Sequence, residues 1–521
     1  MYKFAFIAIT TLAIFLRTIN LSEVPKSLSM DEVTFGYAAF SVQKTLHDET
    51  GNFLPLTFRG MGDYKPPVDV YLKIPFIFFF GLNETSVRLP GALLGGLSVP
   101  LLVLILRRLN FQNNPSLFGG FWLAISHWHV IYSRAGYEAV TALFFLLLAI
   151  YSFLSWTKKQ STLMFGISFA AFSLSVWSYH AERVYVPLFF ATLIYFHPSN
   201  FKKFILKTPK LKLGILAILF LTLSLPFIYS IANGHEVLKR GQDLLFVKEI
   251  EREKDLYVLL HQFAKQYLAY FDPKFVFWSG LGLTPIDLQD IGILYLSDLP
   301  ILIFGVVFLI KSKNKYLKLI TLLLLLLGPL PGAFTRGLPS PVRILLWVPL
   351  FGIVMAAGLR ALSKSKYKFI YPISLTLNVL YFLDIYLYQF PRYNADLWHY
   401  GYKEVSEYVC ANQRSYDKII ITDKYGIEFP KINTIPHYYI LFHCKVDPAH
   451  YQKNPELEGI ELRQPQWLVD SKLENTLLVG SPWDFPESFD EHKIMSKLYF
   501  PNGKPAFYFV ETGNETIQKA Q

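Results

Sequence analysis

The feature that most constrains the fold of this chain is a series of apolar stretches, each close to the length of a membrane-spanning helix. A bilayer core requires roughly 20 apolar residues in a helix, and 52% of the 521 residues are hydrophobic. The stretches fall at residues 4–21, 87–106, 115–133, 139–156, 161–179, 184–200, 213–232, 293–310, 316–333, 342–359 and 369–390. They predict a polytopic α-helical membrane protein with about 11 spans.

Positive charge is distributed unevenly over the loops between these stretches. Every second loop carries Lys and Arg without Asp or Glu; these residues are Arg107, Arg108, Lys158, Lys159, Lys202, Lys203, Lys207, Lys210, Lys212, Lys311, Lys313, Lys315, Lys318, Arg360, Lys364, Lys366 and Lys368. Such loops stay on the cytoplasmic side. The alternation predicts a cytoplasmic N-terminus, an extracytoplasmic C-terminus, and a location in the plasma or inner membrane. The net charge of +11 then reflects membrane orientation, and no nucleic-acid partner is expected.

Two segments decide this topology. The first apolar stretch lacks a small-residue cleavage site, so we interpret it as a retained anchor and not as a signal peptide. Residues 66–82 contain Asp69, Lys73 and three prolines. We predict that this second segment lies at the membrane interface without crossing it, because counting it as a span would break the alternation.

The residues after the last apolar stretch have the composition of a separate domain. We predict a transmembrane domain over 1–390 and a small extracytoplasmic α/β domain over 391–521. Four short apolar runs predict strands at Lys418–Thr422, Tyr438–Phe442, Thr476–Gly480 and Ala506–Glu511, residues 401–412 predict a helix, and residues 499–503 predict a hairpin turn. Cys410 and Cys444 are the only cysteines. They are suited either to a disulfide in an oxidising compartment or to two free buried thiols.

Polar residues of a particular kind collect in the loops predicted to face outward. They are Asp31, Glu32, Asp63 and Lys65 in the first loop, Arg134 and Glu138 in the second, His180 and Arg183 in the third, and Arg343 at the start of the tenth stretch. A carboxylate near an acceptor hydroxyl can act as a general base. Lys and Arg can offset charge that builds on a phosphate leaving group. Asp31 and Glu138 are also suited to share a hard divalent cation, which prefers oxygen ligands.

Each of these signals has a simpler structural interpretation. An adjacent Asp-Glu pair is often the solvated start of a helix. Pro66 and Pro67 are able to break the chain before an interfacial helix, and Arg134 and Arg183 are able to anchor helices at the interface. The convergence of these groups on one side of the membrane favours a functional site.

The order of the motifs resembles that of GT-C membrane glycosyltransferases. The motifs are Asp31-Glu32, Tyr64-Lys65-Pro66-Pro67, Ser86-Val87-Arg88-Leu89-Pro90, Trp128-His129 with Ser133-Arg134, and Tyr179-His180-Ala181-Glu182-Arg183. They are similar to those of the bacterial relatives of protein O-mannosyltransferases and lipid A aminoarabinose transferases, glycosyltransferase family 39 and its neighbours. The resemblance extends over residues 1–410, and residues 1–190 are its specific part.

The resemblance implies roles for the candidate residues. Asp31 is expected to be the general base, with Glu32 beside it as a second catalytic residue. Lys65 is expected at the phosphate of a polyprenyl-phosphate sugar donor, together with Arg134, His180, Arg183 and Arg343. Glu138 matches the acidic residue of the second outward loop, where relatives often have Asp. Transfer in the family normally inverts the anomeric centre. Residues 288–292 and 337–343 lack histidines that relatives carry.

The leading hypothesis is therefore a sugar transferase whose partners are the lipid-linked donor, membrane lipids and a protein, lipid or glycan acceptor. A polytopic transporter is the main alternative, but it would concentrate ionisable groups in mid-membrane and in broken helices. A catalytically inactive assembly factor is a third. The sugar, the acceptor, metal dependence and oligomeric state do not follow from the sequence.

Overall fold

The structure is a computed structural model that describes residues 1–60, 63–232, 255–278, 288, 291–335, 337, 339–362, 369–427 and 432–513. The chain divides into two compact units, each assembled from separated segments. The first unit comprises Met1–Ile19, Gly62–Asp69 and Leu89–Leu383. The second comprises Asn20–Met61, Val70–Arg88 and Asp384–Gln521. The C-terminal part thus clusters with two segments of the first predicted outward loop, whereas the division at residue 390 stays a prediction.

The N-terminal half of the chain is almost entirely helical. Its helices are α1 (Tyr2–Thr18), α2 (Met30–Thr45), α3 (Val68–Phe80), α4 (Glu84–Arg108), α5 (Asn113–Ile125), α6 (His127–Arg134), α7 (Glu138–Lys159), α8 (Thr162–Ser178), α9 (Glu182–Tyr195), α10 (Pro198–Lys207) and α11 (Lys210–Ala232). Further helices cover Leu256–Ala269, Asp298–Lys311, Lys315–Leu327, Leu330–Ala333, Trp347–Leu362, Ile370–Asp384 and Phe390–Tyr393, and a π-helical turn covers Lys274–Trp278.

Four helical segments among the described residues are long and apolar enough to cross a bilayer. They are Glu84–Arg108, Glu138–Lys159, Lys315–Ala333 and Ile370–Tyr393. Several other predicted spans are shorter or interrupted; residues 115–133, for example, break at Ser126 into α5 and α6. The predicted count of about 11 spans therefore stays a prediction. With 13 residues, α3 is shorter than the roughly 20 residues that a bilayer crossing needs.

The C-terminal part of the second unit is built on a mixed five-stranded sheet. Its strands are β3 (Lys418–Ile421), β6 (Ile460–Leu462), β7 (Thr476–Gly480), β8 (Ile494–Tyr499) and β9 (Pro505–Thr512), in the order β6-β3-β7-β9-β8. β3 pairs in parallel with β6 and β7, while β9 pairs antiparallel with β7 and β8. Short two-stranded pairs are β1 (Phe58–Gly60) with β2 (Asp63–Lys65) and β4 (Lys424–Tyr425) with β5 (Ile432–Asn433).

The sheet separates two cores because alternate residues of its strands face opposite sides. Ile419 and Leu477 point into a large core, whereas Ile420 and Leu478 point into a small one. The large core also contains α2 residues and Val87 from α4, together with Tyr439, Leu441 and Phe442 from the helix Pro436–His443. The loop segments and the C-terminal part therefore share one hydrophobic core.

Several predictions for the C-terminal part are confirmed, and one is wrong. Tyr402–Asn412 is a helix, and β3, β7 and β9 occupy the predicted runs. The turn at residues 499–503 joins β8 to β9, with Gly503 at φ 84°. Tyr438–Phe442, predicted as a strand, is helical. A short apolar run does not distinguish strand from buried helix, and Pro436 at the first helical turn favours the helix. Cys410 and Cys444 form a disulfide.

Candidate active site

The acidic pair lies in the first turn of α2, which starts with a capping box. The backbone N–H of Ser29 donates to Glu32 Oε2 at 2.8 Å, and the N–H of Glu32 donates to Ser29 Oγ at 3.3 Å. These bonds satisfy N–H groups that a helix start otherwise leaves unpaired. Asp31 lies in the same first turn and is partly exposed, whereas Glu32 is buried. The two neighbours therefore occupy different environments.

Glu32 lies in a buried ion pair with Arg88, a residue of the first turns of α4. Arg88 Nε donates to Glu32 Oε1 at 2.6 Å, and Arg88 Nη2 donates to Oε2 at 3.2 Å. The remaining N–H groups of Arg88 donate to the carbonyl oxygens of Leu21, Pro25 and Ser27. The segment between α1 and α2 is thus organised around one guanidinium.

The helix Pro436–His443 contributes a side chain to the same region. Tyr439 is fully buried, and its hydroxyl donates to the carbonyl oxygen of Leu28 at 2.8 Å. Burial raises the pKa of Tyr439 well above its ordinary value, and the negative charges of Glu32 and Asp31 add to this. Tyr439 therefore keeps its proton and stays a hydrogen-bond donor. The loop that carries Asp31 is packed against the C-terminal part of the chain.

A second group of predicted residues lies in the first unit, around the segment that carries Lys65. Lys65 ends β2 and is 5% exposed. His180 Nε2 donates to the carbonyl oxygen of Tyr64 at 2.9 Å. Thr141 Oγ1 donates to Asp69 Oδ1 at 2.9 Å. The segment between α8 and α9, through His180, and α7, through Thr141, therefore hold this segment on either side of Lys65.

Glu138 and Arg183 begin the helices that support the Lys65 segment. Glu138 is the first residue of α7 and 4% exposed, one helical turn from Thr141. A carboxylate at this position is stabilised by the partial positive charge of the helix N-terminus. Arg183 is the second residue of α9, three positions after His180. Lys65, Glu138, His180 and Arg183 thus belong to contacting segments, and their roles in one site stay a prediction.

Arg134, which the sequence suggested as a phosphate ligand, is buried and donates to backbone carbonyl groups. It is 1% exposed, and its Nη1 donates to the carbonyl oxygens of Leu16 and Ile19 at 3.1 and 2.7 Å. Arg17 in α1 makes a similar contact in the opposite direction. Its Nη2 donates to the carbonyl oxygen of Leu123, at the end of α5, and to His129 Nδ1 in α6. Each arginine thus neutralises carbonyl groups left unpaired where a helix ends.

Arg343 belongs to a polar cluster at the end of the short helix Leu330–Ala333. Its Nη1 donates to Thr335 Oγ1 at 2.6 Å. The Tyr270 hydroxyl hydrogen-bonds the Arg343 side chain and accepts from the backbone N–H of Ser340 at 3.2 Å. Gly332 is required there, because a Cβ on it would lie 1.9 Å from the Tyr270 hydroxyl oxygen.

An apolar groove of about 660 Å³ lies in the first unit close to this cluster. It is lined mainly by Leu, Ile, Val, Phe and Trp side chains from residues 271–277 and from the helices Asp298–Lys311, Lys315–Leu327 and Trp347–Leu362. Phe271 and Trp347 belong to this lining and follow Tyr270 and Arg343 closely in sequence. Lys318 is its charged lining residue. The groove has the volume and character of a site for an apolar chain.

The described residues bring together no group of three or more His, Cys, Asp or Glu side chains suited to hold a metal ion. Asp31 lies in the second unit and Glu138 in the first. The cation shared by these two carboxylates stays a prediction.

Sequence reasoning assigned no role to Arg88, Tyr439 or Tyr270. For Arg88 a signal existed, since an arginine in the first turns of a long apolar helix is costly in lipid unless it is paired. For the two tyrosines the sequence carries no comparable signal, because their partners lie far away in the chain.

Three comparisons place this geometry among known proteins. Residues 7–232 match the family model of dolichyl-phosphate-mannose-protein mannosyltransferases. An uncharacterised protein of Aquifex aeolicus is 23% identical over 270 residues, and protein O-mannosyl-transferase 1 of Danio rerio is 28% identical over 161 residues. These alignments cover 52% and 30% of this chain, and 48% and 22% of the relatives. The chain therefore matches less than half the length of either relative.

The crystal structure of ArnT from Cupriavidus metallidurans bound to undecaprenyl phosphate is similar over almost the whole chain. The TM-score is 0.50 at 12% sequence identity, with 97% of each chain covered. At this identity the likeness concerns the fold alone. The family match and this fold together confirm that the chain resembles the GT-C membrane glycosyltransferases, with its N-terminal part similar to the protein O-mannosyltransferases.

Proposed function

We propose that the protein transfers a sugar from a polyprenyl-phosphate donor to an acceptor hydroxyl at the outer face of the membrane. Asp31 is the general base, and the anomeric centre is inverted. The placement of the acidic pair carries the proposal. Glu32 is held in a buried ion pair with Arg88, whereas Asp31 is partly exposed in the first turn of α2.

In this reaction Asp31 accepts the proton of the acceptor hydroxyl as its oxygen attacks the anomeric carbon. The bond from that carbon to the phosphate oxygen breaks, and the polyprenyl phosphate leaves with the electron pair. Attack from the side opposite to the leaving group inverts the centre. Lys65 offsets the negative charge that grows on the departing phosphate.

The other predicted phosphate ligands divide into two groups in this proposal. Arg183 and Arg343 remain candidates for the donor phosphate, with Arg343 close to the apolar groove. Arg134 and His180 act by holding α1 and the Lys65 segment, since their side chains bond backbone carbonyls there.

The apolar groove supports a donor carried on a lipid. Its lining is almost free of polar groups, and an isoprenoid chain gains from burying apolar surface along such a wall. The Arg343 cluster near Phe271 and Trp347 gives a cation beside the groove for the phosphate that ends the chain.

Two observations support an extracytoplasmic site. The positively charged loops alternate with the loops that carry the candidate residues. The disulfide between Cys410 and Cys444 suits an oxidising compartment and lies in the part that shares a core with the Asp31 loop. We also propose a protein, lipid or glycan as the acceptor, and no step is assigned to a metal.

The test is sugar transfer in membranes of a strain that lacks the gene, supplemented with purified protein and radiolabelled polyprenyl-phosphate sugars, including the mannose derivative. Label should leave the donor and enter the protein, lipid or glycan fraction, which identifies the acceptor class. Asp31→Asn keeps the side-chain shape but loses the base, and general-base loss lowers the rate by about 10²–10⁴-fold.

Near-normal turnover of a folded Asp31→Asn variant would remove Asp31 as the base. Vesicles that take up a lipid-linked or soluble solute without any transfer would instead favour the transporter.

A further inference from the structure

We infer that Glu32 and Arg88 form a positioning pair that fixes Asp31, and that neither side chain contacts the substrate. The inference rests on the proposed function, since Asp31 must be the base for its position to matter. It concerns the second unit alone and assigns to Arg88 a role in the reaction.

The hydrogen bonds of Arg88 account for every donor that it has. A guanidinium carries five N–H groups. Two of them bond Glu32, and three bond the carbonyl oxygens of residues 21, 25 and 27 at 2.9, 2.9 and 2.6 Å. Arg88 is 0% exposed. Although an arginine in this motif could bind a phosphate, Arg88 therefore has no N–H group left to donate to one.

Both carboxylate oxygens of Glu32 are occupied as well. Oε1 accepts from Arg88 Nε, and Oε2 accepts from Arg88 Nη2 and from the Ser29 N–H. The side chain of Glu32 is 2% exposed. Taking a proton from an acceptor would require breaking a buried ion pair, so Glu32 does not serve as a second base.

The pair instead determines where Asp31 lies. The three carbonyl groups held by Arg88 belong to the segment between α1 and α2, and Glu32 holds Ser29, the residue before α2. Tyr439 fixes Leu28 of the same segment from another side. Asp31 is one residue from Glu32 in the first turn, so its carboxylate follows the position of this turn. A misplacement of about 1 Å can lower a rate by about 10²-fold.

The test compares Glu32→Gln and Arg88→Lys with wild type in full-length protein held in lipid nanodiscs. Radiolabelled polyprenyl-phosphate mannose, or whichever donor the wild type uses, is varied at fixed acceptor membranes. We expect kcat to fall by about 10–100-fold while KM for the donor changes by less than about twofold, since an orienting contact acts on the transition state.

Two further variants separate positioning from general destabilisation. Arg88→Lys in the Asp31→Asn background should cost no further turnover, because the base that Arg88 positions is already absent. Glu84→Gln is the matched control. It removes the ion pair of Glu84 with Lys403 at 2.7 Å, one turn earlier on α4 and in the same unit, and should keep kcat near the wild-type value.

Three results would overturn the inference. Wild-type kcat in folded Glu32→Gln and Arg88→Lys variants would show that the pair is dispensable. A raised donor KM would make Arg88 a phosphate ligand, and a further loss in the double variant would show that Arg88 acts apart from Asp31. If Arg88→Lys does not fold, Glu32→Gln decides alone. An active Asp31→Asn variant would instead refute the proposed base, so the two failures are distinguishable.

Discussion

At the scale of single residues, the acidic pair shows what sequence reasoning can and cannot supply. Its position after the first apolar stretch identified both carboxylates as candidates. The different environments of Asp31 and Glu32 depend on Arg88, which lies 56 positions from Glu32 in the sequence. Sequence spacing does not encode that contact, because it arises from tertiary packing. The same holds for Arg134, whose carbonyl partners lie more than a hundred positions away.

Lys65 is expected to act on the donor. Lys65→Ala should raise the donor KM, lower kcat, or both, with a combined loss of about 10–100-fold, because a hydrogen bond to a charged group is lost. Lys65→Arg should recover only part of this, because a planar fork does not replace a compact ammonium group at a confined site. Steady-state kinetics against varied donor measure both effects.

The control for Lys65 is Lys26→Ala. Lys26 is exposed, and its long contact of 3.9 Å with Glu23 should stabilise the protein little. Donor constants unchanged in both Lys65 variants would remove Lys65 from the active site.

Glu49 makes the second unit sensitive to pH. It is 4% exposed, Tyr438 donates to its Oε1 at 2.9 Å, and Oε2 accepts no hydrogen bond within the described residues. Burial raises its pKa from 4.5 to about 7. A raised carboxyl pKa means that stability is complete below pH 4.5 and is lost as the pH rises through about 7.

Glu49→Gln should therefore raise Tm at pH 8 and leave it almost unchanged at pH 4.5. The gain should be roughly 2–4 °C for each kcal/mol recovered. Thermal unfolding of the purified variant and of wild type at the two pH values measures the difference. Equal Tm values at pH 8 would contradict the raised pKa.

At the scale of helices and strands, the local sequence pattern predicted an element correctly where the surroundings of that element are of one kind. β3, β7 and β9 alternate between two cores, and their β-branched and aromatic residues suit that arrangement. The strand predicted at Tyr438–Phe442 is wrong because an apolar run of this length fits either a strand or a buried helix. The packing of this segment against α2 favours the helix. The break at Ser126 was also missed, since it is stabilised by Arg17, whose Nη2 donates to Leu123 O.

The apolar groove should distinguish long lipid carriers from short ones. Leu322→Trp places a larger side chain in the groove, and it should raise the KM for a donor with a long polyprenyl chain several-fold. It should have little effect on a donor analogue with two isoprene units, which is too short to fill the groove.

Leu326→Trp is the matched control, because Leu326 is on the same helix and exposed but does not line the groove. Equal donor constants for Leu322→Trp and wild type would exclude the groove as the chain site.

At the scale of the whole chain, the second unit joins segments that are distant in sequence. Phe442, which is 1% exposed, packs against Gly36 in α2, where a Cβ would lie 2.6 Å from the Phe442 ring and 2.8 Å from Val87. A side chain at position 36 would thus collide with the shared core. The prediction of a separate domain over residues 391–521 rests on a change of composition, and composition carries no information about which segments share a core.

Phe442→Ala should lower transfer as well as stability. Loss of a buried phenyl ring typically costs about 3–5 kcal/mol, and here the resulting cavity adjoins α2, which carries Asp31 in its first turn. Phe489→Ala removes a ring from the small core on the opposite face of the sheet, so it should leave transfer much closer to normal. Tm and transfer rate measured for both variants make the comparison, and equal effects on transfer would argue against coupling through the shared core.

The shared core also sets the order in which the second unit can assemble. The ribosome releases residues 20–88 long before β9 at Pro505–Thr512, which completes the sheet beside that core. Before the helix Pro436–His443 is made, α2 lacks the apolar partners that pack against it, and long-range contacts form only after both segments exist. A nascent or prematurely ended chain would thus be inserted in the membrane yet unable to order the loop around Asp31. Ordering of the segment that carries Asp31 therefore depends on synthesis of the distant segments that complete this core.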